Sequence, residues 1–349
     1  MFPRARVWLG PLVAVGTGLL AACGSGSPTP EHTVTVIATP HAGTPASSTS
    51  PPASAKPGIA AVTTRGALVV LDASNGSIIR TLVGSGVLGD EISVSPNGST
   101  VYFAQGPGCH PQIMSVGVGG GSPAPIAVGE LPAISPDGTK LAFARQPSLT
   151  TSCAPGPANL TKSYKLVIRT LASGAEKVLP LSPAQQRSGL PSPISHLSWA
   201  SDSTRLAVST LAVQDNEGWG LYLVDTSVAR YYVGPAAGVT FVPVTGAPQT
   251  RRSYLREGIF LPDGDLFVSR ACCGGVPIRN TSRLMWVVTP AGAFVHQVAL
   301  GYPGLEHVSL AASSSGQWLL YLAGSDLYVS QNQHRPSKLT SGLIAATWI

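Results

Sequence analysis

Charge is scarce in this sequence: Asp, Glu, Lys and Arg make up 11% of its 349 residues, and aromatic residues only 6%. Alongside 44% hydrophobic residues, so little charge excludes a disordered polyelectrolyte and leaves ample material for a core. The 22 Lys and Arg outnumber the 16 Asp and Glu, giving +6, but no basic cluster exceeds Arg251-Arg252. A nucleic-acid partner is therefore not expected. Long helices are disfavoured by 31 Pro. Catalytic signatures are lacking too. After residue 57 there is no G-x-S-x-G elbow, there is no H-E-x-x-H, and the cysteine spacing fits no zinc site. Gly84-Ser85-Gly86-Val87-Leu88-Gly89 does match G-x-G-x-x-G, yet Ile92–Pro96 reads as strand and turn, not as a helix that could hold a pyrophosphate.

The amino terminus reads as a processing signal. Arg4 and Arg6 precede the apolar stretch Val7–Leu20, which is short for a membrane span and broken by Gly10, Pro11, Gly16 and Gly18. Leu20-Ala21-Ala22-Cys23 follows and resembles a bacterial lipobox. The resemblance implies cleavage after Ala22, diacylglycerol on the Cys23 sulfur, and acyl chains such as palmitate, each buried CH₂ contributing about 0.8 kcal/mol of anchoring. Gly24–Pro57 is Ser, Thr, Pro, Ala and Gly with few large apolar side chains. It cannot offset its ordering entropy, so a disordered tether spanning about 30–35 Å is expected. Arg outnumbers Lys 16 to 6, as in GC-rich bacteria. The expected organisation is a signal peptide (1–22), a lipidated cysteine and tether (23–57), and a folded domain (58–349). That domain would sit on the outer side of the cell membrane of a GC-rich Gram-positive bacterium.

The folded part repeats itself. Ile92–Ala104, Ala133–Arg145, His196–Val208, Gly258–Ser269 and, more weakly, Val308–Tyr321 each read as an apolar strand, a polar turn and a second apolar strand. Pro fixes φ early in the turn, and Asn or Asp then Gly tolerate positive φ. The shared turn position, Asn97, Asp137, Asp202, Asp263 and Ser315, recurs at spacings of 40, 65, 61 and 52. A second strand pair follows, as in Leu166–Thr170 with Ala175–Leu179 and Gly220–Val224 with Ala229–Val233. Four strands at such a period mark the blades of an all-β propeller. Ile344–Trp348 repeats the first strand of a blade, with Trp348 at the place of Trp199, while Ile59–Val62, Ala67–Leu71 and Ser77–Leu82 supply three more. Five internal blades and this shared one predict six, closed by the carboxy-terminal strand so that two sheet edges are hidden. Seven blades would need part of the insertion Gln146–Tyr164.

Ser135-Pro136-Asp137-Gly138 followed by Lys140-Leu141-Ala142-Phe143 resembles the WD40-like repeat of TolB-type propellers, and the likeness extends over most of Ala60–Ile349. The resemblance implies a non-catalytic binding or scaffolding module of the cell envelope, with a protein or glycan partner. Propellers host many functions, so two other readings stay open: a small molecule or glycan in the central funnel, and a metal-dependent enzyme of lactonase or lyase type.

With Cys23 lipidated, Cys109, Cys153, Cys272 and Cys273 remain, an even number where disulfides persist. All four fall in loops between second and third strands and should emerge on one face. Neighbouring blades let Cys109 meet Cys153, which leaves Cys272-Cys273 as a strained vicinal bond, a redox or metal pair, or free thiols. Acidic residues gather before the inner strands: Asp90, Glu91, Glu130, Glu257 and Glu306, with His196 and His307 at comparable places. Such a ring at the channel mouth could hold Ca²⁺ or face a substrate. Counting back from the turn gives six residues for Glu91 and Glu257, seven for Glu130 and nine for Glu306. Alternate positions point to opposite faces, so solvated rim charges fit this count better and no cofactor is required. A ligand is expected on the face with the long insertions, where Asp215, Trp219, Arg270 and Arg279 surround the mouth formed by Glu91, Glu130, His196 and Glu257. The opposite face carries the short, repeated turns.

Overall fold

A computed structural model describes residues 58–106, 110–145, 165–179, 194–210, 220–227, 232–233, 238–241, 253–272, 285–298 and 310–349. The chain divides at Ala53, and every described residue lies in the second unit. Among the described residues no helix is long and apolar enough to cross a membrane.

Five of the six blades start from the same hairpin, and the turn explains it. In Ser95–Gly98 the Asn97 Oδ1 accepts from Ser95 Oγ at 2.7 Å and from Ser99 N at 3.1 Å, while Gly98 adopts φ 69°. Ser135–Gly138 repeats this: Ser135 Oγ donates to Asp137 Oδ1 at 2.5 Å, Thr139 N at 2.9 Å, and Gly138 has φ 71°. The short polar side chain thus caps its own turn, and Gly takes the left-handed position without a Cβ penalty. The third copy departs from the pattern. Ser203 holds φ 55° without being Gly, and its hydroxyl accepts the Asp137 main-chain N–H of the preceding blade at 3.1 Å. An inter-blade bond offsets the local strain.

The strands form six sheets among the described residues, each a blade. Blade 2 is β4 (Val87–Val94), β5 (Thr100–Gln105), β6 (Gln112–Gly117) and β7 (Ala124–Val128). Blade 3 is β8 (Glu130–Ile134), β9 (Lys140–Arg145), β10 (Lys165–Thr170) and β11 (Glu176–Leu179). Blade 4 has β12 (Ile194–Trp199), β13 (Arg205–Thr210), β14 (Gly220–Asp225), β15 (Tyr232–Val233) and β16 (Gly238–Phe241). Blade 5 is β17 (Ser253–Phe260), β18 (Leu266–Cys272), β19 (Met285–Val288) and β20 (Phe294–Gln297). Blade 6 is β21 (Leu310–Ala312), β22 (Trp318–Ala323), β23 (Asp326–Gln331) and β24 (Ser337–Ser341).

Blade 1 joins the two ends of the domain. Its inner strand is β25 (Leu343–Trp348), paired antiparallel with β1 (Ile59–Thr63), which β2 (Leu68–Leu71) and β3 (Ile78–Val83) extend outward. Ile59 lies opposite Trp348, so the carboxy-terminal strand closes a six-bladed ring as expected. Blade 4 corrects one expectation: the strand beside β14 is β16, and Tyr232-Val233 pairs parallel to it as a fifth strand. Val239-Thr240-Phe241 is as rich in β-branched and aromatic residues as Tyr231-Tyr232-Val233, so composition could not rank them.

The apolar cores lie between blades. Ile59, Val69, Leu71, Trp318, Leu320 and Trp348 fill the seam of blades 6 and 1; Leu166, Leu197, Trp199 and Leu206 fill that of blades 3 and 4. The seam of blades 2 and 3 is the leanest, with Ile113, Leu141, Phe143 and Val167 buried. Trp199 and Trp348 occupy equivalent places but differ at the indole N–H: Trp199 Nε1 donates to Ala133 O at 2.9 Å, while the buried Trp348 Nε1 has no acceptor among the described residues. Trp199→Phe should therefore cost about 1–2 kcal/mol more than Trp348→Phe in urea unfolding, since it alone leaves a carbonyl without its donor. Equal losses would mean that the indole bond contributes nothing.

Candidate functional site

The inner strands β4, β8, β12, β17, β21 and β25 surround the central channel, and their irregularities shape it. Among the described residues, five of the six carry a register shift at one level. The shifts fall between Val87 and Ile92 in β4, Glu130 and Ala133 in β8, Ile194 and His196 in β12, and Leu255 and Glu257 in β17. In blade 1 Ile344 is the extra residue, between the partners of Val62 and Thr63. A bulge inserts a residue and re-aims the side chains beside it. The residues so placed include Glu91, Glu130, His196 and Glu257, four of the acids and histidines singled out in the sequence.

Glu91 and His196 meet across the channel although blade 3 stands between their blades. His196 Nδ1 lies 3.3 Å from Glu91 Oε1, and the Leu197 main-chain N–H donates to Glu91 Oε2 at 3.3 Å. Counting back from the turn, both residues occupy the sixth position, where blade 3 has Leu131. Leu131 adopts φ 56° and packs into the core of blades 3 and 4 with Leu197 and Trp199 instead of pointing at the channel. Gly129, just before this bulge, sits against Phe143: an added Cβ would lie 2.5 Å from the ring and 2.8 Å from Ala144 O. Glu91 and His196 are 7% and 5% exposed. Burial pushes the His196 pKa down to about 4 and keeps the imidazole neutral at pH 7.

Two connected cavities occupy the axis. The waist, about 200 Å³, is lined by Glu91, His196 and residues of all six inner strands, among them Ser93, Ala133, Ser198, Ile259, Ala311 and Thr347. A funnel of about 520 Å³ continues to the turn face, between Ser95–Gly98, Ser135, Pro136, Ser201, Pro262, Ser313, Ser314 and Trp348. Hydroxyls knit the waist wall: Ser93 Oγ accepts Ile134 N and Ser198 Oγ accepts Phe260 N, each at 3.0 Å and each from the following blade. Carboxylates stand on or beside the neighbouring turns. Partial burial works to raise Asp202, but hydrogen bonds from Thr204 and Arg205 prevail and hold it down at about 2. Asp137 is likewise lowered against burial by Ser135 and Thr139, whereas burial and then Asp263 raise Asp265.

The other expected residues fall out differently. Glu130 is buried at the head of β8 and Glu257 half-buried on β17, but among the described residues no three His, Cys, Asp or Glu converge as a metal site would require. Asp215, Trp219, Arg279, Glu306, His307, Cys23, Cys109, Cys153 and Cys273 lie outside the described residues. Arg270 and Cys272 are strand residues of β18, paired with Leu255 and Ser253. The long-insertion face is thus largely outside the described residues, while the funnel lies among the repeated turns. The funnel escaped the sequence reading because its wall is Ser, Pro and main chain from the repeated turns. The one available signal was the shared sixth position of Glu91, His196 and Glu257.

No protein-family model matches the sequence, and no curated protein does. Solved structures do resemble this fold. TolB from Acinetobacter baumannii superposes with a TM-score of 0.57 at 14% identity, over 83% of this chain and 65% of that one. The fold is shared with TolB. The chain spans about two thirds of that protein's length. A putative TolB from Agrobacterium tumefaciens follows at 0.51 and 12%, covering 84% of this chain and 94% of its own. Oligogalacturonate lyase from Vibrio parahaemolyticus reaches 0.51 at 12% identity, covering 81% and 79%. At such identities the likeness to TolB establishes the six-bladed architecture alone.

Proposed function

We propose that this protein is a lipid-anchored, extracytoplasmic propeller that serves as a binding or scaffolding module of the cell envelope, without catalysis of its own, and takes a protein partner in the turn-face funnel. The funnel carries the reading. It is a preformed concavity on a rigid ring, walled by repeated turns whose side chains are already committed to hydrogen bonds within and between blades. The Leu20–Cys23 phrase after the apolar stretch supports the anchor and the location. An oligosaccharide in the same funnel is the competing reading, favoured by the lyase that shares the architecture.

The test uses the full-length protein as bait from salt-washed membranes. Cys23→Ala should move it to the soluble fraction. Ser201→Trp with Ser314→Trp, which fill the funnel, should lower partner recovery at least about tenfold, the loss expected when a central anchor can no longer seat. Arg270→Glu with Arg279→Glu, the pair that the sequence reading assigns to the long-insertion face, should leave recovery unchanged. Loss of recovery only with the arginine pair would move the site to the long-insertion face, and recovery of glycan instead of protein would favour the competing reading.

A further inference from the structure

Blade 3 turns a charged face towards blade 2. Pairing sets Leu141, Phe143 and Arg145 of β9 opposite Arg169, Val167 and Lys165 of β10, and sets Arg169 and Val167 opposite Glu176 and Val178 of β11. Directly opposed residues share a face, so all these side chains stand on one side of the sheet. Leu141, Phe143 and Val167 pack with Ile113 of blade 2, which identifies that side. The apolar seam stops short of the outer strand, where Val178 remains 42% exposed. At its limit stand Arg145, Arg169 and Glu176, with side chains 27%, 26% and 24% exposed, so they are partly desolvated yet within reach of a ligand.

Glu176 holds both guanidiniums, one on each oxygen: Arg145 Nη2 lies 2.9 Å from Oε2 and Arg169 Nη1 lies 3.1 Å from Oε1. Arg145 is fixed further, because its Nε donates to Val128 O of blade 2 at 3.0 Å and its Cζ lies 5.2 Å from the centre of the Phe143 ring. One carboxylate leaves this face positive, since Lys165 stands directly opposite Arg145. Like charges so placed destabilise a sheet, and an anion seated between them removes that penalty. The remaining N–H groups of both guanidiniums, and the Lys165 ammonium, have no partner among the described residues.

We propose that this face of blade 3 binds a phosphate group, as the free ion or a monoester, with Arg145 and Arg169 donating to its oxygens and Lys165 adding positive charge. A phosphate suits the site better than a carboxylate. Two guanidiniums held on one carboxylate offer donors from two directions, which a tetrahedral oxyanion accepts on separate oxygens, whereas a single planar fork already saturates a carboxylate. Arginines held in place beforehand also lose little freedom on binding. None of these residues lines the funnel or the waist, so the site stands apart from the partner-binding reading above.

Inorganic phosphate is titrated into the intact protein by calorimetry, with sodium chloride at matched ionic strength as the reference. Phosphate should bind with a Kd of about 1 mM or tighter, and Arg145→Gln or Arg169→Gln should weaken it at least about tenfold, as loss of a charge-assisted hydrogen bond requires. Lys177→Gln is the control of equal charge: Lys177 lies opposite Ile168, on the other face of the blade, and should leave the affinity unchanged. Glycerol 3-phosphate separates the two sources, tighter binding than inorganic phosphate pointing to a monoester and weaker binding to the free ion. Should the arginine variants fail to fold, phenylglyoxal labelling of the wild-type protein decides: phosphate should slow modification of Arg145 and Arg169 but not of the exposed Arg80. Binding no stronger than that of chloride, an equal loss in Lys177→Gln, or no protection of the two arginines would overturn the proposal. Partner recovery through the funnel is untouched by any of these outcomes, so the two readings fall separately.

Discussion

Deletion of Leu343–Ile349 should leave a chain that no longer unfolds in one cooperative step. Those residues are β25, and they serve two seams at once. Leu343, Ala346 and Trp348 belong to the core between blades 6 and 1, and Ala345 to the core between blades 1 and 2. Loss of a buried Trp alone costs roughly 3–5 kcal/mol, against a typical total stability of about 5–15 kcal/mol. The deletion also bares one edge of β1 along Ile59–Thr63, a template for pairing with other chains. Size-exclusion chromatography should find aggregates, and circular dichroism should record a broad, early melt. A monomer with the wild-type melting temperature would show that β25 does not close the ring.

Acid should weaken the protein through His196. Its folded pKa is about 4, below the usual value near 6.5 of an exposed imidazole. Above pH 6.5 the ring is neutral in both states and its contribution to stability is complete. As pH falls from about 6.5 to 4 the unfolded chain binds a proton that the folded chain does not, and about 3 kcal/mol is lost; below 4 the loss levels off. His196→Asn removes the titration while keeping a polar group beside Glu91. The stability advantage of wild type over His196→Asn, measured by urea unfolding, should therefore shrink by about 3 kcal/mol between pH 7.5 and pH 4. An advantage that grows in acid would mean that Glu91 instead stabilises the imidazolium.

How much of this was legible in the sequence depends on what encodes each feature. The hairpins were readable because their turns use side-chain chemistry: Pro96, Asn97 and Gly98, or Pro136, Asp137 and Gly138, each perform a local task that leaves a local mark. Trp348 was readable as a closing residue because it repeats Trp199. The waist was not, because it depends on bulges. One inserted residue between Glu130 and Ala133, or between Ile194 and His196, breaks the period-two count without any signature residue. Leu131 at φ 56° is the sharpest case. Nothing about a leucine foretells a left-handed backbone, yet that conformation turns the residue aside at the level where Glu91 and His196 meet.

The place of β1 in its blade also bears on mechanical load. The first described strand is an interior strand, laddered to β25 through Ile59–Thr63 and to β2 through Ile59–Val62. A pull transmitted along residues 1–57 enters the domain at Ile59 and runs along β1. Both ladders must then slide together, and their hydrogen bonds share the tension. Had β1 been an outer strand, the same pull would have peeled one ladder a bond at a time. On the proposed reading, with the domain anchored through residues 1–57 and a partner in its funnel, the strand that takes the load first is the one gripped on both sides.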